Sequence, residues 1–134
     1  MTRVVSVVPE DFEQELVMRW AEGQAGNWPE LALLHHIPNG GKRGKSEAAK
    51  LKRMGVKRGV PDLCLPVPRG AFIGLYVEMK KLSGGRLSPE QRTWLNKLAA
   101  QGHMVTVAQG HEQAITVIRD YLAADGADEL LEVA

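Results

Sequence analysis

The sequence predicts a mixed α/β fold, with helices packed against a small sheet. Three observations carry that prediction. Helical periodicity opens near Glu10 and returns at His111. Two short apolar runs, residues 63–67 and 72–78, are joined across Pro68-Arg69-Gly70. A third run, residues 104–108, follows only after a further helix. A tight turn joins antiparallel strands, whereas a crossover helix normally links parallel ones. A sheet that contains both connections is mixed.

The first helix is expected over residues 10–23, with Pro9 just before it. Phe12, Leu16, Val17 and Trp20 recur near helical spacing and mark its apolar stripe. Asn27-Trp28-Pro29 breaks the pattern, and the apolar run 31–34 leads into His35-His36-Ile37-Pro38-Asn39-Gly40-Gly41. Asn-Gly-Gly after proline predicts a loop with at least one positive-φ position, where backbone can approach a ligand closely. A second helix fits residues 46–54, capped by Ser46 and stopped by Gly55. Beyond the strand pair and the Gly84-Gly85 loop, Ser88-Pro89-Glu90-Gln91 carries three helix-start signals: a capping serine, proline at the first position, and glutamine three residues on. Trp94, Leu95, Leu98 and Ala99 form the inner face of that helix, and Gly102 ends it. The last helix covers residues 111–123 through Ala114, Ile115, Ile118 and Leu122, and an acidic tail, residues 125–134, follows.

With 134 residues, 44% hydrophobic and 25% charged, the chain is expected to form one soluble domain over residues 1–134. No apolar run approaches the roughly 20 residues that span a bilayer. Met1-Thr2-Arg3-Val4-Val5 is too short, and too soon followed by acids, to act as a signal peptide. A lone cysteine, Cys64, excludes an internal disulfide and an all-cysteine zinc site, and its apolar strand marks it as a buried structural thiol. The expected setting is intracellular.

The net charge of +1 conceals an uneven distribution. Between Lys42 and Arg58 stand eight of the seventeen bases (Lys42, Arg43, Lys45, Lys50, Lys52, Arg53, Lys57 and Arg58) against one acid, Glu47. Such a local field attracts a polyanion whatever the overall balance.

This basic stretch runs directly into Pro61-Asp62, and after fifteen intervening residues comes Glu78-Met79-Lys80. Strand side chains alternate faces, so Glu78 and Lys80 point one way and Met79 the other. If residues 63–65 pair with 75–77 as a hairpin, Asp62 reaches the face that carries Glu78 and Lys80. Two converging carboxylates beside an ammonium suit a Mg²⁺ ion for phosphodiester hydrolysis, and phosphate-gripping bases belong next to such a site.

These residues resemble the virus-type replication-repair nuclease (VRR-NUC) family, a branch of the PD-(D/E)XK nuclease superfamily. The likeness extends over most of the chain. It rests on Ile37-Pro38-Asn39-Gly40-Gly41, Gly59-Val60-Pro61-Asp62, Glu78-Met79-Lys80 and Leu87-Ser88-Pro89-Glu90-Gln91, in that order. The resemblance implies a restriction-endonuclease-like core, a mixed sheet flanked by helices, and a Mg²⁺-dependent DNA endonuclease in which Mn²⁺ can substitute. It implies that Asp62, Glu78 and the backbone carbonyl of Met79 ligate the metal. Lys80 would orient or help deprotonate a water, or act as an electrostatic clamp. Gln91 would sit at the site, although it also fits a plain capping box. An acid of the first helix would join them, with Glu10 preferred through its Glu–Gln spacing to Gln14, then Glu13, then Glu15. Asn39, Gly40, Lys42, Arg43, Lys45, Lys52, Arg53, Lys57 and Arg58, within the segment 39–58, would face DNA.

His35 and His36 lack further ligands at zinc spacing, so one is expected on a buried strand and the other facing phosphate or solvent. Trp20, Trp28 and Trp94 are read as core. A chain this short offers little surface for reading a long sequence, so backbone and shape contacts should dominate recognition. The favoured activity is a homodimeric Holliday-junction-type resolvase of phage or bacterial type, since two-fold pairing supplies two sites. The alternatives are a flap, single-strand or sequence-specific nuclease, an RNA endonuclease, or an inactive DNA-binding module.

Overall fold

The computed structural model describes residues 9–39 and 44–124. Four α-helices, one short 3₁₀ segment and four strands follow one another as α1 (Glu10–Gln24), the 3₁₀ turn (Pro29–Leu33), β1 (His35–His36), α2 (Lys45–Arg53), β2 (Leu63–Leu65), β3 (Leu75–Lys80), α3 (Pro89–Ala100), β4 (Met104–Gln109) and α4 (His111–Ala123). The strands form one sheet in the order β1-β2-β3-β4. Strands β1 and β2 are antiparallel, as are β2 and β3, and β4 joins β3 in parallel after the α3 crossover. The sheet is therefore mixed, as the connections predict.

Alternation along β2 and β3, both buried on either face, sorts the residues of the sheet. Leu63, Leu65, Leu75, Val77 and Met79 lie on one face, in a core closed by Val17 and Ala21 of α1 and by Ala114, Ile118, Tyr121 and Leu122 of α4. Asp62, Cys64, Tyr76, Glu78 and Lys80 alternate onto the other face, where the start of α3 meets them. The apolar set is thus used up on one side of β2 and β3, which leaves the opposite side free for charged groups. Cys64 is buried, as its apolar strand predicts.

Several elements differ from the sequence expectation. The strand expected over 72–78 is shifted to Leu75–Lys80, because Arg69 and Phe72 exchange backbone hydrogen bonds that close the turn before it. Helix α2 starts one residue before Ser46, with Gly44 at its cap and no side-chain capping bond, and it buries none of its residues. Phe12 is 41% exposed; the inward stripe of α1 is Glu13, Val17 and Ala21. Strand β1 is exposed at both histidines, so neither lies on a buried strand. Only Leu95 of α3 is buried, and Trp94 stands outside the core against which Trp20 and Trp28 pack. No helix among the described residues is long and apolar enough to cross a membrane.

Candidate active site

Hairpin register brings the acids together. Leu63 pairs with Val77, so Asp62 and Glu78, one step further along each strand, stand opposite each other on the same face. The Met79 backbone N–H donates to Asp62 Oδ2 at 2.7 Å, fixing the carboxylate across the end of the hairpin. Neighbouring groups hold the backbone of Asp62 from the other side. Its carbonyl accepts from Ile37 N–H and from His36 Nδ1, each at 2.8 Å. A carbonyl only accepts, so His36 carries its proton on Nδ1. Strand β1, only two residues long, thereby positions Asp62.

Helix α3 supplies the next contact. Ser88 Oγ accepts from Gln91 N–H at 3.1 Å, and Gln91 Oε1 accepts from Ser88 N–H at 2.8 Å, a complete capping box. The same Gln91 side chain reaches the sheet. Its Nε2 donates to Glu78 Oε2 at 3.1 Å, and its Oε1 also accepts from Lys80 Nζ at 3.0 Å. Lys80 Nζ lies 3.7 Å from Glu78 Oε2. One glutamine therefore ties the start of a helix to an acid and a lysine two residues apart.

Burial makes this cluster electrostatically unusual. Glu78 is 1% exposed and Lys80 6%. Desolvation, reinforced by the charge of Asp62 alongside, pushes the Glu78 carboxyl up to about 8. Desolvation also raises Asp62, against the lowering effect of the Met79 N–H bond. Glu10, at the start of α1, is raised by desolvation too and feels the charges of Lys80 and Asp62. Of the three candidates Glu10, Glu13 and Glu15, Glu10 is the one that feels the charges of the cluster. Glu13 instead turns to His111, accepting from its backbone N–H at 2.9 Å and pairing with its ring at 2.6 Å, and Glu15 is exposed.

Glu78 Oε1 is buried with no hydrogen-bond donor. An unpartnered carboxyl oxygen beside a second carboxylate leaves a place for a shared proton or a cation. Among the described residues no group of three or more His, Cys, Asp or Glu side chains could hold a metal. Two carboxylates alone suit Mg²⁺, which retains several waters, far better than zinc. A residue's N–H and C=O leave a strand on the same side. Since the Met79 N–H points to Asp62, its carbonyl points to that edge as well, as a third oxygen.

Beyond Gln91 opens a cleft of about 920 Å³ between α2 and the start of α3. Asn39, Lys52, Lys57 and Arg58 line it together with Gln91. Lys45 and Arg53 lie exposed on α2 and do not line it, and Gly40, Lys42 and Arg43 lie outside the described residues.

Two glycines near the site, Gly59 of the Gly59-Val60-Pro61-Asp62 string and Gly85 of the Gly84-Gly85 loop, permit close approaches whose partners the sequence strings alone do not reveal. Gly59, at φ +90°, lies so close to the backbone of Glu90 that an added Cβ would be 2.6 Å from the Glu90 carbonyl carbon. The Gly85 backbone lies against the stem of Lys80, where a Cβ would come within 3.1 Å. Glycines flanking a motif are the signal for such close approaches.

The VRR-NUC domain model matches residues 8–112. The chain belongs to the VRR-NUC family. A solved structure of a VRR_NUC domain protein is 36% identical, with a TM-score of 0.76, covering 91% of this chain and 96% of the other. No curated protein matches. As a VRR-NUC chain it carries a nuclease-type domain, and its α/β architecture is that of its relative. The Pro61-Asp62, Glu78-Met79-Lys80 and Gln91 positions all fall inside the matched span.

Proposed function

We propose that this VRR-NUC chain is a Mg²⁺-dependent endodeoxyribonuclease that acts on branched DNA, with Asp62, Glu78 and the Met79 carbonyl as metal ligands. The observation that carries this reading is the orphaned Glu78 Oε1 beside Asp62, on a face where Lys80 and Gln91 converge. A divalent ion held there would lower the pKa of a bound water and stabilise negative charge on a phosphate. The chain's own residues do the rest. Gln91 holds Glu78 Oε2 in place, so Oε1 stays turned to the site. Lys80 spends one donor on Gln91 and keeps the others for a water or a phosphate oxygen. Glu10 adds a third carboxyl near enough to feel the charges of Lys80 and Asp62. The basic lining of the cleft offers phosphate contacts that position a duplex without reading its sequence.

One site cuts one strand. A homodimer would bring two such sites to a four-way junction and cut it in pairs, which makes a junction resolvase the favoured form. The test is cleavage of a labelled four-way junction beside linear duplex, flap and single strand, and beside matched RNA, with Mg²⁺, Mn²⁺ or EDTA. Paired, symmetric, metal-dependent cuts on the junction, by a protein with the solution mass of a dimer, are expected. Cutting of flaps alone would retain the nuclease and remove the resolvase, and binding without cutting in either metal would leave a DNA-binding module.

A further inference from the structure

The stripe expected to form the inner face of α3 is divided: Leu95 is buried, whereas Trp94 and Leu98 line a surface cavity. Trp94, Lys97, Leu98 and Gln101 stand at i, i+3, i+4 and i+7, and with Thr93 and Lys57 they line a second cavity of about 450 Å³. Trp94 is half-buried rather than part of the core, and no acid lines the cavity. Lys57 lines both this cavity and the cleft that leads to Gln91. Trp94 is one helical turn from Gln91, roughly 5 Å along the axis.

We propose that the Trp94 pocket binds a nucleotide unstacked from the duplex, the base lying against Trp94 and Leu98 and the flanking phosphates meeting Lys57 and Lys97. As a site for part of a DNA substrate, the pocket presupposes the nuclease reading. Three features favour this occupant over an apolar peptide. An indole and a leucine side by side offer a flat apolar surface, which any base can cover without sequence preference. Two lysines with no acid between them complement a phosphodiester rather than a hydrophobic side chain. The shared Lys57 makes the pocket continuous with the cleft proposed for the duplex, so a strand leaving a branch point near Gln91 has somewhere to go. Selection of branched over linear DNA would then come from the pocket, and the cluster of acids would be indifferent to it.

The test is a fluorescence titration of the full chain in EDTA, with a short oligothymidylate and with a matched duplex. Base stacking should quench tryptophan emission on single-strand binding, and Trp94→Phe should remove most of that quench while labelled-oligonucleotide anisotropy still reports binding. Trp94→Ala should weaken single-strand binding roughly tenfold or more. Lys57→Gln and Lys97→Gln should each flatten the salt dependence by about 0.7 in the log–log slope. The proposal fails if Trp94→Phe is quenched like wild type, if duplex quenches as strongly as single strand, or if Trp94→Ala binds the oligonucleotide as tightly as before. Trp94→Phe keeps an aromatic ring in place, so its result stands even if the alanine variant folds poorly. Any of these failures alongside Mg²⁺-dependent cutting by the wild type removes the pocket and keeps the nuclease; quenching without cutting does the reverse.

Discussion

Gln91 Nε2 donates to Glu78 Oε2 at 3.1 Å while Gln91 Oε1 accepts from both Lys80 Nζ and the Ser88 backbone N–H. A single amide thus serves as helix cap and as bridge between an acid and a lysine, and its two ends do different work. The cap uses the oxygen alone; only the bridge to Glu78 needs the nitrogen.

Gln91→Glu separates those roles. Glutamate closes a capping box as well as glutamine does, so the melting temperature should change little. It removes the donor to Glu78 and sets a like charge beside it, so cutting should fall roughly 100-fold. Gln91→Ala should lose both, with a further cost of about 1 kcal/mol in stability from the cap. Thermal melts beside single-turnover cleavage check this, and equal melting losses in the two variants would refute the division of labour.

The raised Glu78 carboxyl predicts how the metal-free protein responds to pH. Unfolded, this group ionises near 4.5; folded, at about 8. Between those values the folded chain holds a proton that the unfolded chain has released, so stability falls as pH rises from about 4.5 to about 8 and then levels. Asp62, also raised, acts in the same direction. A divalent ion can take the proton's place, so Mg²⁺ should raise the melting temperature more at pH 8 than at pH 5. Glu78→Gln should melt higher than wild type at pH 8 in EDTA, converge with it near pH 4.5, and gain nothing from Mg²⁺. Scanning calorimetry across that range, with and without Mg²⁺, is the measurement; a flat wild-type profile in EDTA would contradict the burial argument.

Much of this arrangement is legible in the sequence because it follows from short-range rules. Alternation places Glu78 and Lys80 on one face, a local connection over residues 66–74 makes the hairpin that brings in Asp62, and Ser88-Pro89-Glu90-Gln91 carries its own helix-start signals. What was not legible depends on distant partners. Strand β1 has two residues, too few to show a period, and exists through bonds to β2, 26 residues away at His36 and Asp62. Periodicity shows that Trp94 shares a stripe with Leu98, but not whether core or surface cavity meets that stripe. Glu13 carries no motif at all; its partner lies 98 residues on.

The cleft makes the basic segment divisible. Lys52 and Arg58 line it, whereas Lys45 and Arg53 do not. Lys52→Gln and Arg58→Gln should each weaken duplex binding and lower the salt slope by about 0.9. Lys45→Gln and Arg53→Gln should change both less. Anisotropy titrations in EDTA at several salt concentrations would decide, and a uniform effect of all four would place DNA across the outer face of α2 instead.

Gly59→Ala tests the join between the basic segment and α3. Its Cβ would meet the Glu90 backbone at 2.6 Å, and the φ of +90° is itself strained for alanine. The start of α3 must shift, and Gln91 with it. A loss of about 1–3 kcal/mol in stability should accompany at least tenfold slower cutting at a temperature where the variant remains folded. Full activity there would mean that Gln91 tolerates displacement, which would weaken its assigned role.

Glu13 provides a control outside the hydrogen bonds that join Gln91, Glu78 and Lys80. Helix α4 has Gly110 at its N-cap, with no side chain to cap it, and the α1 residue Glu13 fills that role by accepting from His111. Desolvation works to raise the Glu13 carboxyl, but the bonds from His111 outweigh it and hold the group below its usual 4.5. A depressed acid stabilises the fold above its unfolded pKa and loses that contribution as pH falls through its folded value. Glu13→Ala should therefore cost about 1–3 kcal/mol at neutral pH, seen as a melting temperature lower by several degrees, and the gap from wild type should narrow below pH 4.5. Below its melting transition the variant should cut DNA at the wild-type rate. Slower cutting by a fully folded Glu13→Ala protein would show that the acid bears on the catalytic cluster as well as on α4.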